Sequence, residues 1–193
     1  MNKNLTSYIK RHVDLTEQEN ERFQSTLKLK TFKKGDYLLQ AGQTCTKRYY
    51  ILTGCIRLFY IENGNEQIIH FGIDNWWITE YDSLINQSPS NIFIQAIEDS
   101  EVLILDQSSF ERISEEIPKI EKLFRIIMEK TYIAAQRRIS YMLSYSGEEL
   151  YEKFVTYNPT FLQRAPQYMI ASYLGMTPEF YSKIRNKPRN PTS

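Results

Sequence analysis

The stretch Pro166-Gln167-Tyr168-Met169-Ile170-Ala171-Ser172-Tyr173-Leu174-Gly175-Met176-Thr177-Pro178-Glu179-Phe180-Tyr181-Ser182-Lys183-Ile184-Arg185-Asn186-Lys187 decides the reading of this chain. It contains two short helices around a tight turn. Pro166 suits a helix start, and Ile170, Ala171 and Leu174 form one apolar face. Gly175 supplies the left-handed backbone needed to leave that helix sharply. Thr177 then serves as N-cap, Pro178 as a first-turn residue, and Glu179 complements the positive end of the helix dipole. Tyr181 and Ile184 bury the second helix against the first, and the small Ala171 lets the two cross closely. An ordinary helical hairpin has the same outline. The outer face of the second helix sharpens the reading to a helix-turn-helix. There Thr177, Glu179, Ser182, Lys183, Arg185, Asn186 and Lys187 are candidates to hydrogen-bond base edges or phosphates.

The charge distribution agrees. The 193 residues carry 24 Lys/Arg and 23 Asp/Glu, a net +1. Residues 1–115 hold 12 basic and 16 acidic residues, whereas residues 116–193 hold 12 and 7. From residue 160 onward, five basic residues accompany one acid, Glu179. A basic tail behind an acidic front suits a polyanionic partner.

Upstream, Pro118 to Ser144 contains no glycine and no further proline. As one helix it spans ~40 Å at 1.5 Å per residue. Ile120, Phe124, Ile127, Thr131 and Ala134 follow a 4-3-4-3 spacing, the seam of a two-stranded coil. Leu123, Ile126, Ile133, Ile139 and Met142 add further apolar positions. One stripe suffices to pack on the rest of the chain, and two point to a second copy. Ile120, Phe124, Ile127, Thr131 and Ala134 are therefore the expected dimer interface, with a single core-facing helix as the plainer alternative. A two-fold protein matches a palindromic DNA site. Gly147 is expected to end this helical region, Glu148–Tyr157 to form a further helix, and Asn158-Pro159 a turn.

The first half of the chain has the other periodicity. Gly35, Gly42, Gly54, Gly64 and Gly72 punctuate β-type runs at 49–52, 56–61 and 67–71, and further runs lie at 92–97 and 102–105. Asn63-Gly64 predicts a hairpin turn. Residues 28–106 read as a small antiparallel barrel or sandwich, preceded by a helical segment at about 5–27 with Thr16-Glu17-Gln18-Glu19 as a helix start. Residues 107–116 form a short helix before Pro118.

Composition narrows the function classes. Hydrophobic residues make up 41% and charged residues 24%, ordinary for a soluble globular chain. No apolar run is long enough to span a membrane, and the N-terminus is too polar for a secretion signal, so a cytoplasmic location is expected. Two cysteines, Cys45 and Cys55, do not supply the four thiolates of an iron–sulfur cluster. His12 and His70 alone make a zinc or cupin-type enzyme improbable. No catalytic set, metal set or cofactor is expected.

At this point the chain resembles the Crp/Fnr family of transcription regulators, of the type found in Bacteroidetes. Phe161-Leu162-Gln163-Arg164-Ala165 leading into Pro166–Glu179 is the strongest part of the likeness. Phe32-Lys33-Lys34-Gly35-Asp36 and Tyr50–Leu58 resemble the opening strands of a cyclic-nucleotide-binding β-roll. The resemblance implies an α+β chain: an antiparallel jelly-roll-like β-roll sensing an effector (1–116), a long dimerisation helix (117–145) and a helix-turn-helix domain (146–193). It implies a homodimer on double-stranded palindromic DNA, with RNA polymerase and a small-molecule effector as further partners and no membrane. Glu179 matches the family's cytosine-reading Glu, and Lys183 falls where many members carry a guanine-reading Arg. Pro178 replaces a residue that is often Arg, and Pro188–Ser193 is too short for the family's β-hairpin wing.

In members that bind cyclic AMP, a Gly-Glu pair and an Arg hold the sugar phosphate. The match puts Thr79 at the Gly, Glu80 at the Glu and Ser90 near the Arg, and no Arg or Lys lies between Arg57 and Arg112. Cyclic-nucleotide binding is therefore not expected. Trp77, Thr79, Glu80, Tyr81, Ser90 and Asn91 are the candidate effector pocket, made aromatic by Trp76, Trp77, Tyr81 and Phe93, although these side chains equally suit a filled roll. A ligand-binding module without DNA contact is the remaining alternative reading.

Overall fold

A computed structural model describes residues 2–187; Met1 and the 188–193 tail, with Arg189 and the expected lack of a wing, lie outside the described residues. The N-terminal segment is two helices, α1 (Lys3–Lys10) and α2 (Glu17–Gln24), rather than one continuous stretch. Thr16 and Glu19 form a reciprocal capping box at the start of α2. Val13 and Leu15, in the link between them, are buried, so the chain bends there to turn both side chains inward.

The roll has eight strands: β1 (Lys28–Phe32), β2 (Tyr37–Leu39), β3 (Lys47–Thr53), β4 (Ile56–Glu62), β5 (Asn65–Gly72), β6 (Trp77–Ile78), β7 (Phe93–Ala96) and β8 (Ser100–Asp106). They form two four-stranded antiparallel sheets, in the orders β1-β8-β3-β6 and β2-β7-β4-β5. Asn63 and Gly64 turn the β4–β5 hairpin with φ of 50° and 80°, the primed geometry that suits twisted strands. A short helix, α3 (Tyr81–Asn86), interrupts the strands. Inward residues of both sheets, among them Leu39, Tyr49, Ile51, Leu58, Ile94 and Val102, close a continuous apolar core.

Helix α4 (Gln107–Glu116) leads into α5 (Pro118–Ser144), which has proline in its first turn. Ile120, Leu123, Phe124 and Ile127 bury themselves in the same chain, in a cluster with Leu5, Ile9, Phe23, Tyr50 and Trp77. Phe124 meets Trp77 edge-on at 4.8 Å and Phe110 at 5.1 Å. This corrects the expected seam: Ile120, Phe124 and Ile127 are spent on the roll and the N-terminal helices. Thr131 and Ala134 continue the stripe but are exposed. Among the described residues no helix is long and apolar enough to cross a membrane.

The C-terminal head comprises α6 (Gly147–Tyr157), α7 (Pro159–Arg164), α8 (Gln167–Tyr173) and α9 (Pro178–Arg185). Gly147 opens α6 behind its N-cap Ser146 instead of closing α5. A Cβ on Gly147 would lie 2.5 Å from the Phe180 ring, so α6 and α9 approach closely here and a side chain would have to turn the half-exposed Phe180 aside. Asn158-Pro159 is not merely a turn: Pro159 starts α7.

The head is not a separate globule. Tyr151, Phe154, Phe161, Met169, Ile170 and Tyr181 share one apolar cluster with Cys55, Phe59, Ile68, Phe71 and Ile97 of the roll. Ser172 Oγ accepts from the Ile68 amide at 2.9 Å and donates to the Glu66 carbonyl at 3.0 Å. Arg138 of α5 donates to the carbonyls of Ile69 at 2.6 Å and Tyr173 at 2.7 Å. Arg164 pairs with Asp74 at 2.5 Å and with Glu98. His70, half-buried on β5, has its pKa pushed down to about 4 by burial and then by the nearby Arg138 guanidinium.

Two outcomes follow. Phe124→Ala should cost ~3–5 kcal/mol of stability in urea titrations, because it removes a ring wedged among three elements rather than a contact to another chain. The second outcome concerns acid. Below pH 6.5 the unfolded chain protonates His70 while the folded chain resists until about 4, so folding binds fewer protons and His70 weakens it as pH falls. Between pH 7 and 4 the wild type should lose up to ~3 kcal/mol more than His70→Gln; parallel pH profiles for the two proteins would contradict this.

Candidate nucleic-acid interface

The helix-turn-helix is built from its turn outward. Helix α8 ends at Leu174, Gly175 adopts φ 70°, and the Met176 amide reaches back to the Ala171 carbonyl at 2.9 Å. This is the left-handed exit that leaves orphan helix carbonyls satisfied. Thr177 caps α9, its hydroxyl accepting from the Phe180 amide at 3.2 Å, with Pro178 and Glu179 in the first turn. Tyr181 and Ile184 are 2% and 7% exposed and pin α9 against the rest of the head. Tyr181 meets Tyr151 edge-on at 5.4 Å.

The opposite face of α9 is free. Thr177, Glu179, Lys183, Arg185, Asn186 and Lys187 are exposed and Ser182 is half-buried. Glu179 and Lys183 stand one turn apart, the spacing that puts both side chains on one surface stripe. A carboxylate and an ammonium side by side offer an acceptor and donors to neighbouring base edges. Not all the expected side chains are free. The Lys187 ammonium bonds Glu148 at 2.8 Å, and Arg185 donates to the Asn186 side chain at 3.3 Å. Lys187 must leave Glu148 to reach a phosphate.

The expected effector pocket is not one place. Trp77 faces away from the cassette, packing on Tyr50 at 5.2 Å and on Phe124. Trp76 points elsewhere again, stacking near His70 and edge-on to Phe161, each at 6.1 Å. Phe93 stacks on Phe59 at 5.0 Å. The aromatic lining expected from Trp76, Trp77, Tyr81 and Phe93 therefore does not form. Trp76 precedes the two-residue β6 and its ring turns toward His70 and Phe161, so the two indoles pack on different neighbours and neither faces the cassette.

The polar cassette residues are spent on nearby backbone. Thr79 donates to the Lys47 carbonyl at 2.8 Å. Glu80 is the N-cap of α3, its two oxygens accepting from the Asp82 and Ser83 amides at 2.9 and 2.8 Å. Ser90 Oγ accepts from Ile92 at 2.9 Å, and its backbone is paired with Gln43 and Gly42. Asn91 is exposed. The amides at the start of α3, the natural seat for an anion, already hold the chain's own carboxylate.

Several buried polar residues escaped the sequence reading. Arg48 is 5% exposed beneath the cassette, donating to Gln107 at 2.5 Å and stacking on Phe110 at 3.9 Å. Arg57 is 4% exposed and pairs with Glu66 and Gln95. Arg138 and Arg164 clamp the head. Nothing local marks them, because their partners lie as far as 35 to 90 residues away along the chain. Cys45 and Cys55 are free buried thiols, and burial pushes Cys55 up to about 12.

Comparison with known proteins completes the picture. Residues 29–116 match the cyclic nucleotide-binding domain. The anaerobic regulatory protein of Pasteurella multocida is 27% identical over 185 residues, 88% of this chain and 66% of that protein. The fumarate and nitrate reduction regulatory protein of Vibrio cholerae is 29% identical over 169 residues, 80% of this chain and 66% of its own length. The chain thus spans just under two thirds of the length of these curated relatives. The structure of FixK2 from Bradyrhizobium japonicum superposes with a TM-score of 0.71 at 16% identity, covering 83% of each chain. With a β-roll, a long connecting helix and a helix-turn-helix head in that order, a matching domain in the roll and regulators of this kind among its relatives, the chain is similar to the Crp/Fnr regulators.

Proposed function

We propose that the protein is a homodimeric, sequence-specific DNA-binding transcription regulator of the cytoplasm whose effector is not a cyclic nucleotide. The observation that carries this is α9: its apolar side is buried in the head while Glu179 and Lys183 stand free on the outer face. In this reading Glu179 accepts from a cytosine amine and Lys183 donates to guanine, while Arg185, Asn186 and Lys187 track phosphates. RNA polymerase is the further partner of such a regulator.

The dimer forms on a different stripe of α5 from the one its first half buries. Met128, Tyr132, Ala135, Ile139 and Met142 repeat at 4-3-4-3 spacing, and Tyr132 and Ile139 are 62% and 59% exposed. Leu143, 83% exposed, extends this edge. A row of apolar side chains facing water is what a second copy would cover. Cyclic AMP is disfavoured because Glu80 occupies the α3 amides and Arg48 is engaged with Gln107 and Phe110.

Three experiments test the reading. Lys183→Ala should weaken binding to the operator by ~1–3 kcal/mol and relax preference at one base pair per half-site, whereas Lys187→Ala should weaken all sequences alike. Unchanged affinity and preference in Lys183→Ala, measured by selection from a random DNA pool, would displace the recognition helix from its assigned role. Tyr132→Asp with Ile139→Asp should yield folded monomers in light scattering that no longer bind DNA tightly; a dimeric double variant would refute the seam. Millimolar cyclic AMP should leave the melting temperature where plain AMP leaves it, since a ligand at a hundredfold excess over Kd adds about 2.7 kcal/mol.

A further inference from the structure

We propose that the groove between α1, the β5–β6 loop and α5 is a binding site for a small planar aromatic anion. The groove is a cavity of about 570 Å³, within the size range of small-molecule sites. It lies away from the cassette, which holds Thr79, Glu80 and Ser90, and none of these lines it.

Its rim is cationic and lacks a counter-charge. Arg11 and Lys130 both line it, and among the described residues neither forms an ion pair. The Lys130 ammonium rests instead on His12 Nε2 at 2.9 Å. His12 Nδ1 lies 2.9 Å from the Tyr8 carbonyl and so carries the ring proton, leaving Nε2 as the acceptor. Asp74 lines the same groove, but its oxygens are taken by Arg164 and the Gly54 amide. Two lysine and arginine heads beside a spent carboxylate leave a net positive field over the opening.

The wall supplies the second half of the chemistry. Trp76 is 39% exposed, with its indole stacked near the His70 ring at 6.1 Å, and both line the groove. A half-exposed indole held by a second ring is a ready face for a planar ligand. Trp77 lines it too, and its indole N–H has no hydrogen-bond partner among the described residues. On α5 the groove takes Ile127, Lys130, Thr131 and Ala134. At 100° per residue Lys130 lies about 120° or more from every seam position, whereas Thr131 borders Ala135 and Met142, so a second copy on that stripe would flank the groove and leave its Lys130 side open. The ligand chemistry is thus an aromatic ring carrying one carboxylate or phosphate.

Calorimetric titration of the full chain without DNA tests this independently of the regulator reading. The probes are 2-naphthoate and 2-naphthyl phosphate, with neutral 2-naphthol and the non-aromatic cyclohexanecarboxylate as controls. At least one naphthyl anion should bind one site per chain with a Kd below 1 mM, ten times tighter than either control. The tighter of the two assigns the anion class. Arg11→Gln with Lys130→Gln should raise that Kd at least tenfold, and Trp76→Ala should do the same with an unchanged melting profile. If both naphthyl anions bind no better than cyclohexanecarboxylate, or the Arg11/Lys130 double variant keeps the wild-type Kd, the proposal fails. DNA binding by the same protein is scored separately, so loss of one reading leaves the other standing.

Discussion

The first ten residues of α5 set the geometry of everything else. Ile120, Leu123, Phe124 and Ile127 wedge between the N-terminal helices and the outer face of the roll, where Tyr50 and Trp77 receive them. Burying several large side chains from one helix stripe favours docking by roughly 1.5–3 kcal/mol for each. Once those residues are fixed, the direction of the remaining helix is fixed with them. Its second half then leaves the roll with its apolar seam unpaired and delivers the head beside β5. Without that wedge, neither the position of the head nor the free seam would be defined.

Arginine completes the junction. Arg138 reaches from α5 to carbonyls on β5 and α8 at once, and its guanidinium lies 4.0 Å over the Tyr173 ring. A planar fork serves such a site better than an ammonium, since it satisfies several acceptors while stacking on an aromatic face. Burial lowers the Arg138 pKa, yet the group stays charged, so the carbonyl dipoles carry the compensation. Arg164 does the complementary work with carboxylates, and its pairing with Glu98 and Asp74 raises its pKa.

Much of this architecture is legible in the order of the residues. The glycine-punctuated runs mark five of the eight strands, and the absence of breakers marks α4 and α5 with their observed ends. The turn at Gly175 and the cap at Thr177 are readable because both depend on local backbone chemistry. What stays hidden is non-local. Periodicity reveals two apolar stripes on α5 but not which one meets the roll, because both have the same spacing. The two-residue β6 and the six-residue α3 are too short to show any period. Trp76 and Trp77 are neighbours in the chain and suggest the cassette as their place; only the fold shows that their rings pack instead on His70 and Phe161 and on Tyr50 and Phe124. The outer face of α9 is readable from charge alone, but the hold of Glu148 on Lys187 is not, since the two are 39 residues apart.

One apolar cluster runs without a break from β4 and β5 into α6, α7, α8 and α9. Roll and head therefore lack the thin, polar boundary along which domains usually part. Melting of the head would uncover Phe59, Ile68 and Phe71 to water, so the cost of loosening it is borne by the roll as well. The chain is accordingly one thermodynamic unit in spite of its two architectures. A head transplanted from another protein would have to bring its own complement to β5, and substitutions on the hairpin would be read out in the helix-turn-helix head.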